Sequence, residues 1–184
     1  CTIQYALNQE RWDFITMQQG STYSGVADTY EPHLTQLIEY VNKNKLEPRA
    51  YLAWNMTWAY QSDFEKDMFA KYDRDQMKMY NAIVATVEEV IPQIKDMNIL
   101  IPSGTAIQNA RTSILGDDLT RDGHHLSRPF GRYVASCTWL QAVLGKNPVG
   151  NTYCPEGMTP EQCRAAQKAA RKAVRKPSKI TEIK

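Results

Sequence analysis

Three short runs of apolar residues divide the chain, and each of them ends in a polar segment. They are WDFITMQ (residues 12–18), RAYLAWNMTW (residues 49–58) and MNILIPSG (residues 97–104). Apolar residues follow one another in these runs with little alternation, which is typical of strands buried on both faces of a parallel sheet. The pattern therefore predicts three buried strands.

Segments with helical spacing of apolar residues alternate with these strands. Residues 29–44 and 64–94 are predicted to be helical, 105–115 to form a short helix, 117–127 a loop, and 129–145 a last core helix from Pro129 to Gly145. The apolar faces are Leu34, Leu37, Ile38 and Val41 in the first helix, and Met77, Tyr80, Ile83, Val84, Val87 and Ile91 in the second. This order predicts an α/β domain with a parallel sheet covered by helices.

The composition fits one soluble domain, because 42% of the 184 residues are hydrophobic and 23% are charged. No apolar run is long enough to span a membrane, and residues 1–13 show no signal peptide. Residues 161–184 carry eight Lys or Arg and two Glu. We therefore divide the chain into an α/β domain (residues 1–150) and a C-terminal loop with a basic helix or tail (residues 151–184).

The basic helix raises the possibility of nucleic-acid binding, but no aromatic residue interleaves with its charges. A solvated helix face is the favoured interpretation, and we expect no nucleic-acid partner.

The four cysteines give no zinc pattern, because no Cys-x-x-Cys pair occurs. Cys154 and Cys163 are nine residues apart. The sequence is compatible either with a local disulfide between them or with two free thiols. Cys137 lies in an apolar helical run, which indicates a buried thiol. Cys1 is either an arbitrary first residue or the lipidated first residue of a lipoprotein, and we favour the former. No metal or organic cofactor is expected.

Candidate chemistry lies in the predicted loop DDLTRDGHHLS, which holds two of the three histidines. A hydrolytic histidine needs one ring nitrogen free to take a proton, while the other donates to a carboxylate. The spacing of Asp122 and His125 lets the short aspartate reach the second nitrogen within a turn. The alternative is a loop aspartate that caps a turn beside a solvated histidine.

The pieces WDFITMQQGSTYSG, WNMTWAY, MYNAIV, IPSGTAIQNAR and DGHHLS together resemble the SGNH (GDSL-type) hydrolases, and most closely an uncharacterised bacterial branch of that superfamily. The resemblance implies a three-layer, flavodoxin-like domain with a mostly parallel sheet, of which the chain lacks one or two N-terminal strands. It also implies that His125 is the base and Asp122 the acid of a Ser-His-Asp triad that hydrolyses esters. His124 occupies the variable position between them.

The serine block that the family places after its first strand is absent from this chain. Ser21, Ser24, Ser103 and Ser127 have no good claim to replace it. Either the serine lies upstream of Cys1, which we favour, or the chain is a degenerate relative that binds a carbohydrate or another partner without catalysis. If the serine lies upstream, the resemblance implies that the protein is an esterase and that it is secreted or periplasmic, as members of the family often are.

Two further groups of residues are candidates for contacts with the substrate. The resemblance places Gln18, Gln19, Gly20 and Ser21 where the family binds the oxyanion, and an amide of either glutamine could donate there. Trp58 and Tyr60, at the end of the second strand, and His124 are candidate substrate contacts. Aromatic faces at such a place could stack on a sugar, so an acylated carbohydrate or another small acyl ester is the expected substrate. Trp58 packing under the loop is the open alternative.

Overall fold

A three-stranded parallel sheet forms the centre of the computed structural model, which describes residues 1–184. The strands are β1 (Phe14–Met17), β2 (Tyr51–Asn55) and β3 (Met97–Ile101), in the order β1-β2-β3. Met17 pairs with Trp54 and Asn55 with Ile101, so the three strands end at one edge of the sheet. The predicted parallel α/β fold is confirmed, although each strand is shorter than its apolar run.

Six α-helices surround the sheet, and short 3-10 turns connect several of them. The helices are α1 (Ile3–Leu7), α2 (His33–Asn44), α3 (Gln76–Val90), α4 (Ser103–Arg111), α5 (Phe130–Leu144) and α6 (Pro160–Arg175). The 3-10 helices are Ser21–Tyr23, Ala27–Thr29, Asp67–Tyr72 and Ile91–Gln93. The helices α2 and α3 cross over between successive parallel strands, as the sequence pattern indicates.

The first hydrophobic core lies between the sheet and the helices α2 and α3. Leu52, Trp54 and Ile83 are among its most buried members. The predicted helix over residues 64–94 is shorter, because Asp75 caps α3 by accepting a hydrogen bond from the backbone N–H of Lys78. Met77 therefore lies in the first turn of α3 and is exposed, contrary to our assignment of this residue to the apolar face.

The second hydrophobic core joins α4, α5 and α6. Small side chains on one face of α6 let it pack closely on the other two helices, and these are Ala165, Ala166, Ala169, Ala170 and Ala173. Thr159 and Gln162 form a capping box at the start of α6. Because this core also includes Ile183, residues 151–184, which were predicted to form a loop and a basic helix or tail, pack against the rest of the domain through α6.

A disulfide bond between Cys154 and Cys163 ties the loop before α6 to its first turn. This settles the alternative that the sequence left open. Cys137 is buried in α5 and Cys1 is exposed, and both are free thiols. None of the helices combines the length and the apolar composition that a membrane span requires.

Candidate functional site

The loop between α4 and α5 folds back on itself and presents the candidate residues at its tip. Thr120 and Leu126 form an isolated antiparallel bridge, and the Arg121 N–H donates to the carbonyl oxygen of His125 at 2.9 Å. The Gln61 N–H donates to the carbonyl of Gly123 at 2.8 Å, which attaches the tip to the segment after β2. The loop is thus held at the carboxyl edge of the sheet, where ligands of parallel α/β folds bind.

Asp122 and His125 form the hydrogen-bonded pair that their spacing predicted. The Nδ1 atom of His125 lies 2.7 Å from Oδ2 of Asp122. The other carboxylate oxygen accepts the backbone N–H of His125 at 2.8 Å and that of His124 at 3.3 Å. The carboxylate is therefore fixed by the turn itself and is aimed at one nitrogen of the ring.

The protonation states of this pair follow from the same contacts. The side-chain hydrogen bond from His125, followed by its backbone hydrogen bond, holds the pKa of Asp122 well below its usual range. An ionised carboxylate only accepts hydrogen bonds, so Nδ1 of His125 carries the proton and donates it. In the neutral ring Nε2 is then the free acceptor, which is the tautomer that a general base needs.

Gly123 lets the loop lie directly against the first core. Its φ of +86° is in the left-handed region, and a Cβ at this position would come within 2.1 Å of Cδ2 of Phe64. Both observations require glycine here. The close approach brings the ring of the next residue, His124, to within 5.3 Å of the Phe64 ring.

His124 fills the space between this core and His125. Its ring centroid lies 3.8 Å from that of His125 and 5.8 Å from that of Tyr60, which meets it edge-on. The Nε1–H of Trp58 donates to the His124 carbonyl at 2.7 Å. Trp58 is thus half-buried and holds the loop, as our alternative interpretation had it, and a contact of its ring face with a sugar stays a prediction.

Tyr60, which the sequence suggested as a substrate contact, is fully buried in this structure. Its hydroxyl group instead bonds to the hydroxyls of Ser21, at 3.0 Å, and Thr22, at 3.2 Å. Tyr60 therefore connects the loop after β1 with the ring of His124. This bridge between the two candidate loops depends on tertiary packing, and no local sequence signal could have indicated it.

The structure distinguishes between the two glutamines that the sequence left equivalent. The side-chain amide of Gln19 donates to both oxygens of Thr29 at 3.2 Å, and its oxygen accepts the N–H of Gly20 at 2.8 Å. Gln19 and the Gly20 amide are thereby occupied. The oxygen of Gln18 accepts a hydrogen bond from Asn55 at 2.8 Å, which leaves the Gln18 NH₂ group without a partner in the chain.

Asn55 is a residue that the sequence analysis missed, and Ser103 was considered there only as a nucleophile. The hydroxyl of Ser103 donates to Oδ1 of Asn55 at 2.7 Å, and Asn55 in turn donates to Gln18. This relay joins the carboxyl ends of all three strands. The strand register creates it, since Asn55 is adjacent to Ile101 in β3.

None of the four serines considered above is available to His125. Ser24, Ser103 and Ser127 are buried, and Ser21 is hydrogen-bonded to Tyr60. The other hydroxyl contacts are Ser24 with the carbonyl of Ser21, Ser103 with Asn55, and Ser127 with the N–H of Gly131. The chain therefore presents the Asp122–His125 pair without a serine hydrogen-bonded to it.

Asp122, His124 and His125 are also the residues that could hold a metal ion, since their ligand atoms lie within 4.8 Å of one another. The His125 nitrogen and the carboxylate are already hydrogen-bonded to each other. His124 Nδ1 is buried and lies 3.2 Å from Asp122 Oδ1 without forming an aligned hydrogen bond.

A half-buried ion pair supports the base of the loop. The Nε atom of Arg111 lies 2.6 Å from Oδ1 of Asp117, and the guanidinium also donates to the carbonyl of Ala59 at 3.0 Å. Asp117 accepts the backbone N–H of Ser62 at 2.8 Å and the side-chain amide of Gln76 at 2.9 Å. These bonds link α4, α3 and the segment after β2 at the point where the loop begins.

The fold and the site define a three-layer α/β protein with an exposed, carboxylate-held histidine at the carboxyl edge of its parallel sheet. The chain belongs to the DUF4886 family, described as a domain of unknown function, whose family model matches residues 1–173. It is similar to a DUF4886 family protein of known crystal structure from Bacteroides uniformis, with 43% sequence identity and a TM-score of 0.94. That match covers 100% of this chain and 71% of the Bacteroides chain. The comparison with curated proteins found no match.

Proposed function

We propose that the protein is an ester hydrolase of the SGNH type, with His125 as general base and Asp122 as its orienting carboxylate. The observation that carries the proposal is the 2.7 Å contact between His125 Nδ1 and Asp122 Oδ2. The His125 side chain is 55% exposed, so a nucleophile and a substrate can reach the free side of the ring.

The reaction follows from the protonation states of the pair. Nε2 takes the proton of a serine hydroxyl while the serine oxygen attacks the acyl carbon of the ester. The imidazolium formed in this way is stabilised by Asp122 and returns the proton to the leaving alcohol. Water then attacks the acyl-enzyme with the same base, which releases the acid and restores the serine.

Gln18 is the proposed donor to the oxyanion of the tetrahedral intermediate. Its NH₂ group has no partner in the chain, whereas the side-chain amide of Gln19 and the backbone N–H of Gly20 are both hydrogen-bonded. The relay from Ser103 through Asn55 fixes the orientation of the Gln18 amide. A pre-oriented donor of this kind stabilises the transition state because no reorganisation is needed when charge develops.

The nucleophilic serine is proposed to come from sequence upstream of Cys1. Two observations support this position. β1 pairs only with β2, so its other edge is free to pair with a further parallel strand. Residues of α1, β1 and α2 also line an apolar groove of about 450 Å³, which a further strand or helix could cover. The end of such a strand would lie beside Gln18.

The proposed substrate is an acylated carbohydrate or another small acyl ester. Its support is a mostly polar pocket of about 480 Å³ that Asp122 and Gly123 help to line. The half-buried ring of Trp58 lies near it and donates to the His124 carbonyl. The Cys154–Cys163 disulfide favours an oxidising compartment, so we also propose a secreted or periplasmic location. Fractionation of native cells checks this location, and recovery of the protein with cytoplasmic markers would contradict it.

The test is the cleavage of short chromogenic acyl esters by the protein expressed from its full gene. We expect His125→Ala to lower kcat by roughly 10²–10⁴-fold, because it removes the general base. His33→Ala is the matched control, since His33 is an exposed histidine at the start of α2, away from the site. Equal rates for the wild type and His125→Ala would reject the hydrolase proposal.

The second candidate is a non-catalytic carbohydrate-binding or interaction domain on the same scaffold. It is favoured by one observation, namely that no serine of this chain is hydrogen-bonded to His125. Retention of the protein on acylated polysaccharide, unaffected by His125→Ala and without any ester cleavage, would support this candidate.

A further inference from the structure

We propose that His124 is a positioning residue, whose ring holds the imidazole of His125 in the orientation that general-base catalysis requires. This inference rests on the proposed function for its catalytic consequence, but its structural content is independent of it. The two rings lie 3.8 Å apart between centroids, with an angle of 42° between their planes. His124 occupies the position between Asp122 and His125 that varies among the SGNH hydrolases, and we assign a role to it here.

His125 needs such support because it is exposed and local contacts alone constrain it weakly. Asp122 bonds to only one atom of its side chain, Nδ1. A single hydrogen bond lets the ring tilt about that contact, and an exposed side chain retains rotational freedom that must be lost in the transition state. A second ring packed against the imidazole removes part of that freedom.

His124 is suited to this role because its side chain is mostly buried and is held through ring contacts and backbone hydrogen bonds. Only 15% of its side chain is exposed, and its ring packs against those of Tyr60 and Phe64. Its backbone N–H donates to Asp122, and its carbonyl accepts the indole N–H of Trp58. Its ring is thus a buried surface, against which the more exposed ring of His125 lies.

The support continues to the proposed oxyanion loop. Tyr60 lies behind His124, and its hydroxyl group bonds to Ser21 and Thr22 in the turn that follows Gln18. One buried tyrosine therefore contacts both the loop of the proposed oxyanion donor and the residue that supports the base. The distance between these two loops is set by side chains that do not touch the substrate.

Two variants separate ring packing from other roles of His124. His124→Ala removes the ring, whereas His124→Phe keeps an aromatic ring and removes both nitrogens. We expect His124→Ala to lower kcat for short acyl esters about 3- to 10-fold with little change in KM, which is the fold-change that the loss of one aromatic contact implies. His124→Phe should restore at least half of the wild-type kcat.

The direct readout is the NMR resonance of the His125 Nδ1 proton, which shifts downfield when it is hydrogen-bonded to Asp122. We expect this resonance in the wild type and in His124→Phe, and its loss or broadening in His124→Ala. His33→Ala should leave it unchanged. Thermal melting of each variant checks that the fold is intact. If His124→Ala is unfolded, the comparison of His124→Phe with the wild type decides the proposal.

Each outcome decides the proposal. A resonance and a kcat that persist in His124→Ala would overturn it. Losses in His124→Phe equal to those in His124→Ala would also overturn it, because a nitrogen of His124 would then be what matters. A rise in KM alone would make His124 a substrate contact instead. If the wild type cleaves no ester but the resonance depends on the ring as expected, the proposed function fails and the positioning role stands.

Discussion

The carboxylate of Asp122 accepts hydrogen bonds from two backbone N–H groups and one imidazole, and all three donors belong to the next three residues. The geometry of the candidate pair is therefore a property of one turn. The lowered pKa of Asp122 keeps it ionised, and ionisation fixes the tautomer of His125. Because these contacts are local in sequence, the spacing of the two residues indicated the contact between their side chains.

The two free thiols differ in burial, since Cys137 is buried and Cys1 is exposed. Desolvation raises the pKa of Cys137 to about 11, whereas Cys1 is exposed. Iodoacetamide at pH 8 should therefore modify Cys1 and leave Cys137 unmodified in the folded protein, because the thiolate is the reactive form. Mass spectrometry identifies the modified residues. Rapid modification of Cys137 without denaturant would contradict its placement in the second core.

At the scale of the elements, the ion pair of Arg111 and Asp117 joins α4 to the start of the loop that carries Asp122 and His125. Arg111 lies in α4, and the bonds of Asp117 reach Ser62 and Gln76 in two other parts of the chain. Burial raises the pKa of Asp117, but the hydrogen bond from the Ser62 N–H and the charge of Arg111 outweigh it, so that the pKa is lowered. The carboxylate is thus more stable as an anion in the folded protein.

This lowered pKa predicts a dependence of stability on pH. The contribution of Asp117 is fully present above its unfolded pKa of about 3.9 and is lost as the pH falls through its lower folded pKa. Asp117→Asn should lower the free energy of unfolding at pH 7 by about 1–3 kcal/mol and should lose less on further acidification than the wild type. Urea denaturation at pH 7 and pH 3 measures both effects.

Asp118→Asn is the matched control for this experiment, because Asp118 is the exposed neighbour and has no side-chain partner. It should leave the free energy of unfolding nearly unchanged at both pH values. An acid dependence of Asp117→Asn as steep as that of the wild type would show that other carboxylates account for it.

The elements also show which features a sequence can predict. Leu52, Ala53 and Trp54 are all buried, so continuous burial of the strand produced the continuous apolar run from which it was predicted. Met77 was assigned to the wrong face because α3 begins at Gln76, and periodicity alone did not locate that start. Element order thus follows from hydrophobic pattern, whereas helix ends depend on single caps.

The site was only partly predictable, for a related physical reason. The bonds from Ser103 through Asn55 to Gln18 join residues 37 and 48 positions apart, and they exist because of the strand register. Tyr60 seemed a surface residue at a strand end, but it is completely buried against Phe64, Phe69 and the ring of His124. Contacts of this kind are fixed by tertiary packing, and no local spacing encodes them.

At the scale of the whole molecule, two cores meet at the carboxyl edge of the sheet. The first core supports His124 through Phe64 and Tyr60, and the second carries the α4 and α5 helices between which the loop is suspended. The free edge of β1 lies on the side of Gln18. The proposed serine would complete the site from that side. The hydrolase proposal must therefore be tested on the protein expressed from its full gene.

The most direct test is the reaction of the protein expressed from its full gene with a fluorophosphonate, which phosphonylates only an activated serine. The account predicts one modified serine in the sequence before residue 1, with a reaction rate that falls at least about 100-fold in His125→Ala and is unchanged in His33→Ala. Mass spectrometry locates the modified residue. No modification, a modified serine within residues 1–184, or an undiminished rate in His125→Ala would contradict the account.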